Sequence, residues 1–136
     1  MDPSTYLKEI SNTLFKYQQN NFLCDVFIVT PENIEVPAHS VIMSAVSVKL
    51  KAAFEKSDNS IKKNYVFKLY VADCDVATVE IVLQFVYTGT ICLPNDTTLD
   101  ISRVLSTGQK LGLNPEKIAG CMAALLSLTD SRYGGN

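Results

Sequence analysis

The sequence predicts an α+β fold in which a short pair of strands leads directly into helices. One observation is the stretch from Cys24 to Ala38, where branched and aromatic residues flank a Pro-x-Asn break, a pattern typical of two strands and a turn. Another is the change after His39 to apolar residues at intervals of three and four, the period of one helical face. A chain of 136 residues with 47% apolar content suits one domain with a substantial core.

Residues 2–19 are predicted to form a first helix, with Asp2 as its cap and Pro3 in its first turn, where a missing N–H costs nothing. The helix carries an apolar stripe with a three-four-three spacing, formed by Leu7, Ile10, Leu14 and Tyr17. Phe15 lies off this stripe and widens the apolar surface. A terminal helix of this kind can fold back on its own core or pack against a second copy, and the spacing alone does not decide between the two.

The segment after the strand pair predicts a helix and then a loop. Its apolar positions are expected to share one helical face: Val41, Ile42, Ala45, Val46, Leu50 and Phe54. Residues 55–64 form the most polar stretch of the chain, and we expect a surface loop of the kind that often carries recognition. A strand rich in aromatic and branched residues is predicted at residues 65–71.

The middle of the chain predicts a helix that belongs at the centre of the core. Asp75 is suited to cap it, and the segment from Val76 to Tyr87 is apolar on nearly every side. Gly89 suits the left-handed exit from this helix. A short strand is expected at residues 90–93.

Two short helices are expected to complete the domain. Gly112 ends the first, and Asn114 caps the second, ahead of a first-turn proline and an early acid. The domain is predicted to span residues 1–128, with residues 129–136 as a flexible tail.

Composition excludes several classes of function. The net charge of −2 and the pI of about 5.3 argue against a nucleic-acid surface, which normally needs a basic stripe. No apolar run approaches the ~18–20 residues that span a bilayer, and residues 1–23 lack the apolar centre of a signal peptide. We therefore expect an intracellular protein, nuclear or cytoplasmic, that binds neither a membrane nor nucleic acid directly.

The cysteines and the one histidine predict neither a metal site nor a cofactor. Cys24, Cys74, Cys92 and Cys121 are widely spaced and contain no paired-cysteine motif, so reduced cysteines that act as small apolar residues are favoured over a disulfide framework. His39 is expected to hydrogen-bond local backbone or cap a turn.

The sequence predicts that the protein is not an enzyme. Three serines lie near the histidine, at Ser40, Ser44 and Ser47, but no strained, glycine-flanked turn presents one of them as a nucleophile. Unusually fast reaction of Cys24 or Cys92 with a thiol-directed probe would reopen the enzyme alternative, because a reactive thiolate needs a depressed pKa and exposure.

The order of elements and several local strings resemble the BTB/POZ domain family over residues 5–127. The strings are Phe22-Leu23-Cys24-Asp25-Val26, Pro37-Ala38-His39, Ser47 with Phe54 seven residues later, Val86-Tyr87-Thr88-Gly89 and Leu111-Gly112-Leu113. The resemblance implies helices clustered around a small mixed sheet and a protein-interaction role. Family members with a helix before the first strand are dimers, so residues 2–19 imply a homodimer with the apolar stripe as its interface and no stable folded monomer.

The resemblance also implies two possible kinds of partner. Members that recruit corepressors pair an acid in the first strand with a basic residue after the Ala-His string. Here Asp25 supplies the acid but Ser40 takes the basic position, so Asp25 is expected to find another donor, a backbone amide or Lys49.

Members that bind cullin scaffolds usually carry an apolar-x-Glu string in the loop after the third helix. Asp58, Asn59 and Ser60 hold those places here, and Lys49 and Leu50 replace a common aromatic pair. The candidate partner-binding residues are Asp25, Lys49, Asp58, Asn59 and Ser60. Because the cullin string is absent, transcription regulation ranks slightly above work as an adaptor of a cullin ubiquitin ligase.

Overall fold

Strands β1 (Val26–Val29), β2 (Glu35–Ala38) and β3 (Phe67–Tyr70) form one mixed sheet in the order β2-β1-β3. The computed structural model describes residues 2–57, 66–91 and 101–121, without the side chain of Ser57. β1 pairs antiparallel with β2 and parallel with β3. Helices pack around this sheet, so the predicted α+β class is confirmed.

The helices of the described residues follow the predicted order. They are α1 (Pro3–Gln19), α2 (Ser40–Val46), α3 (Val48–Ser57), α4 (Val76–Thr88) and α5 (Ile101–Lys110). Residues 115–121 are also helical. None of these helices is long and apolar enough to cross a membrane. Asp2 takes the N-cap position of α1, but the predicted cap bond is wrong, because its carboxylate accepts the Ser4 hydroxyl at 2.5 Å instead of a backbone N–H.

β2 is an edge strand whose backbone alternates between facing β1 and facing outward. The Thr30 N–H donates to the Ile34 carbonyl at 3.0 Å, which sets the alternation of hydrogen-bonded pairs along the hairpin. Glu35 and Pro37 therefore direct their backbone groups away from β1. The missing N–H of Pro37 costs nothing there, and its carbonyl accepts the Gln18 Nε2 of α1 at 2.9 Å.

The prediction of one continuous helical face after residue 40 is wrong, because the chain breaks at Ser47. The extended backbone of Ser47 (φ −139°, ψ 108°) ends α2, and its hydroxyl accepts the Leu50 N–H at 3.1 Å at the start of α3. The break changes which positions point inward. Met43 and Leu50 are buried, whereas Val41 is 75% exposed and Val46 is also exposed.

Helix α4 lies at the centre of the core, as predicted. Its cap is confirmed, since the Asp75 Oδ1 accepts the Thr78 N–H at 2.8 Å. Its end is also confirmed, with Gly89 in the left-handed region at φ +77°. Val79 and Leu83 have no exposed surface.

α5 ends, and the next helix begins, where the sequence predicted. Gly112 is left-handed at φ +78° after α5, and the Asn114 side chain accepts the Glu116 N–H at 2.9 Å ahead of the helical residues 115–121. The strand expected at residues 90–93 does not include Thr90 or Ile91, and its other two positions lie outside the described residues.

The core joins one face of the sheet to all of these helices. Its largest fully buried side chains come from β1, from α2, α3 and α4, and from the C-terminal segment: Ile28, Met43, Leu50, Leu83, Leu111 and Ile118. Among the predicted features, Asp58, Asn59, Ser60, Cys92 and the tail at 129–136 lie outside the described residues.

Candidate protein-interaction surface on the first helix

Helix α1 does fold back on its own core, and it uses one face to do so. Gln18 is buried where it bonds the Pro37 carbonyl, and Ser11, Leu14 and Phe15 are half-buried on the same side. The Phe15 ring also packs against a ring of α4, with its centroid 6.2 Å from that of Tyr87. These contacts fix the position of α1 on the domain.

The predicted apolar stripe lies on a different face of α1. With 3.6 residues per turn, the centre of the stripe is rotated by roughly 70° from the centre of the core-facing side. Leu7 is 62% exposed, Ile10 and Tyr17 are each 39% exposed, and Leu14 alone belongs to both faces. The stripe borders a shallow groove of about 300 Å³, which also includes Glu9 and Thr13. The domain therefore presents an apolar helix face that its own core leaves uncovered.

His39 joins three segments of the chain through hydrogen bonds. Its Nε2 lies 2.8 Å from the Phe22 carbonyl oxygen, which can only accept, so this nitrogen carries the ring proton. Its Nδ1 lies 2.7 Å from the Tyr87 hydroxyl, which then donates to it, and the same hydroxyl accepts the backbone N–H of His39 at 3.0 Å. The predicted bond between the His39 ring and local backbone is wrong, because its backbone partner, Phe22, lies 17 residues away in the sequence, and the ring makes no cap bond to α2. Every polar group of the cluster has a hydrogen-bond partner, which favours a structural role.

Cys24 lies beside this cluster, with its Sγ 3.6 Å from the His39 Nε2. Burial raises the pKa of the Cys24 thiol to about 11, and the neighbouring Asp25 carboxylate adds to the increase. The thiol is therefore almost fully protonated at neutral pH, which disfavours it as a nucleophile. Cys74 is buried, Cys121 is half-buried, and both are free thiols like Cys24.

Asp25 is hydrogen-bonded to Ser40, the residue at the position where a basic side chain was expected. Its two carboxylate oxygens accept the Ser40 N–H at 2.7 Å and the Ser40 hydroxyl at 2.6 Å. The predicted backbone-amide donor is thus confirmed, but the alternative with Lys49 is wrong. The Lys49 Nζ donates to the Lys110 carbonyl at 3.2 Å instead.

The structure therefore separates the candidate residues into distinct places. The four stripe residues share one helix, Asp25 caps the start of α2, and Lys49 lies against the end of α5. Sequence reasoning missed the role of Ser40, although a serine in the first turn of a helix offers both a hydroxyl and a free N–H. No group of three or more histidine, cysteine or acidic side chains is placed to hold a metal ion within residues 2–57, 66–91 and 101–121.

Sequence comparisons match this architecture to one family. The profile of the BTB/POZ domain family matches residues 14–124. Kelch-like protein 2 of Rattus norvegicus is 31% identical over 88 residues, which are 63% of this chain and 14% of that protein. Kelch repeat and BTB domain-containing protein 2 of Homo sapiens is 30% identical over 84 residues, which are 62% of this chain and 12% of that protein. The chain thus spans about one-seventh of the length of the curated relatives it matches.

Two solved structures share the fold at low sequence identity. The BTB domain of zebrafish PATZ1 superposes with a TM-score of 0.65 at 17% identity, covering 93% of this chain and 97% of that domain. The BTB domain of human gigaxonin superposes with a TM-score of 0.64 at 20% identity, covering 90% of this chain and 92% of that chain. Since the family profile matches residues 14–124, which are most of the sequence, the chain belongs to the BTB/POZ domain family.

Proposed function

We propose that this BTB domain forms a homodimer through the apolar stripe of α1 and that the dimer recruits partner proteins. The stripe supports this proposal because its side chains are apolar and three of the four are exposed, on a helix whose core contacts are made mainly by another face. Burial against a second copy would remove Leu7, Ile10 and Tyr17 from water on both chains. An obligate interface of this kind commonly buries on the order of 2,000 Å² or more. We therefore expect no stable folded monomer.

The dimer is tested by placing two charges on the stripe. In the double variant Leu7→Asp/Ile10→Asp, four carboxylates would meet at the interface, so we expect dimerisation to be lost. Size-exclusion chromatography with light scattering should give twice the 15.0 kDa chain mass for the unchanged protein at micromolar concentration. The variant should give the mass of one chain or lose its folded circular dichroism.

The matched control is Thr5→Asp/Asn12→Asp, which adds the same charge to exposed positions of the same helix, roughly opposite the stripe. The control should remain a folded dimer. Leu7 and Ile10 are exposed within one chain, so unfolding of the stripe variant alone would follow from loss of the second copy. A monomeric parent protein, or a stripe variant that stays dimeric, would overturn the proposal.

As the more specific role we propose a substrate adaptor that bridges targets to a cullin ubiquitin ligase, through contacts other than the apolar-x-Glu string that this sequence lacks. Two curated relatives carry kelch in their names, and kelch-linked BTB domains are the type for which this role is expected. Transcription regulation, which the sequence alone ranked first, would use a charged pocket, but Asp25 is already satisfied by Ser40. Isothermal titration calorimetry with a cullin N-terminal region should give nanomolar affinity. Absence of binding at about 10 μM would favour the transcription role instead.

A further inference from the structure

A second surface lies on a different side of α1 from the stripe. It is a groove of about 610 Å³ between the end of α1, the outer edge of β2 and the exposed side of α4. Its α1 wall is formed by Phe15 and Gln19, which lie roughly 120–160° around the helix from the centre of the stripe, and by the buried Gln18, which lies roughly 60° from it. A dimer formed through the stripe would therefore leave this groove open.

The β2 wall of the groove offers backbone hydrogen-bonding groups. Glu35 lies in the groove and directs its N–H and carbonyl away from β1, as the alternation of the hairpin requires. At the next outward position, the Gln18 side chain already occupies the Pro37 carbonyl. The open edge is therefore short, and it suits a short extended segment that adds to the sheet as a strand.

The side chains of the groove specify what such a segment would carry. Its floor is apolar, with Val36, Val76 and Ile81 among the lining residues. Its charged lining residues, Glu35 and Glu80, are both acidic. Glu35 pairs with Lys68 at 2.9 Å, whereas Glu80 makes no ion pair within the described part of the chain. The groove thus complements an apolar side chain that is flanked by positive charge.

We propose that this groove binds a short extended segment of a partner protein, which pairs with the Glu35 backbone, packs an apolar side chain on the floor and places a lysine or arginine against Glu80. The apolar and the basic side chain must lie two positions apart, because both face α4 and alternate residues of an extended segment point to the same side. The site is separate from the dimer interface. Its test therefore does not depend on the outcome of the dimer experiment.

The probes are acetylated and amidated heptapeptides that carry lysine, then valine or leucine, then lysine at positions 2, 4 and 6, with threonine at the other positions. Isothermal titration calorimetry with the whole chain should detect binding in the micromolar range. Replacing every lysine by glutamate should abolish binding, because like charges would meet at Glu80. Methylating the central backbone nitrogen of the lysine peptide should weaken binding, because strand pairing needs that N–H. Failure of all lysine peptides to bind, or equal binding of the glutamate peptides, would overturn the proposal.

Two variants place the binding in the groove. Ala77→Phe fills the groove from an exposed position of α4 and should abolish binding, whereas Ala52→Phe, at an exposed position of α3, should not change it. Glu80→Lys should weaken binding roughly tenfold, and Glu55→Lys should leave it unchanged. Light scattering on each variant checks that the oligomeric state is the same. Unchanged affinity in Ala77→Phe would place the peptide elsewhere and refute the site.

Discussion

Replacing Gly112 by alanine is expected to lower the free energy of unfolding by about 2–4 kcal/mol. Gly112 has φ +78°, a conformation that costs an L-residue about 1–2 kcal/mol. A Cβ at this position would also overlap the Ser47 hydroxyl and lie 3.0 Å from the Cβ of Lys49. Ser47 is buried and holds the first turn of α3 through the Leu50 N–H, so its displacement would cost a further ~0.5–2 kcal/mol of capping energy.

The control for this variant is Gly89→Ala. Gly89 has nearly the same φ, +77°, but a Cβ there would meet no atom within 4 Å. It should therefore show only the conformational cost of about 1–2 kcal/mol. Urea denaturation at one fixed protein concentration measures both variants, since dimerisation would otherwise shift the midpoint.

A double-mutant cycle isolates the contact between Gly112 and Ser47. In a Ser47→Ala background the hydroxyl is gone, so Gly112→Ala should cost less than in the parent protein, though more than Gly89→Ala, because the close approach to the Lys49 Cβ remains. Equal destabilisation by Gly112→Ala with and without the Ser47 hydroxyl would show that the overlap with this hydroxyl is not the cause of the destabilisation.

The Tyr87→Phe variant is expected to lose about 2–6 kcal/mol of stability while keeping the shape of the core. The missing hydroxyl leaves the backbone N–H and the Nδ1 of His39 without partners in a buried site, and each such group costs about 1–3 kcal/mol. Burial raises the pKa of Tyr87, so its hydroxyl keeps the proton that it donates. The phenyl ring would retain the packing against Phe15.

Tyr70→Phe is the matched control for this loss, because it removes the same hydroxyl from a side chain that is largely exposed. It should change stability by less than about 0.5 kcal/mol. Thermal unfolding followed by circular dichroism compares the two. Equal stabilities would show that the hydrogen bonds of the His39 cluster contribute nothing net.

The parts of the fold that could be predicted from sequence are those in which local signals agree with the packing. In α4, the cap at Asp75, the apolar sequence and the exit at Gly89 all indicate one buried helix, and the structure has it. The hairpin was equally clear, because its turn residues separate two runs of strand formers. The secondary structure of such segments can be predicted without knowing which distant residues they contact.

The parts that could not be predicted depend on contacts between distant residues. The spacing from Val41 to Phe54 fits one helix, but the break at Ser47 lets both Met43 and Leu50 reach the core. The bond from Ser40 to Asp25 joins the start of α2 to β1, and no local pattern indicates it. On α1 the spacing predicted an apolar stripe, and the structure has it. The exposure of the stripe depends on which face of α1 packs against the core, and the spacing does not specify that face.

The parallel pairing of β1 with β3 determines the order in which the sheet can be completed. The hairpin partners are close together in the sequence, so they can meet as soon as both have been synthesised. β3 follows only after α2, α3 and residues 58–65, and closing such a long loop is entropically costly and slow. Until then one side of β1 stays unpaired on the nascent chain, and this is the interval in which a molecular chaperone would protect the protein most.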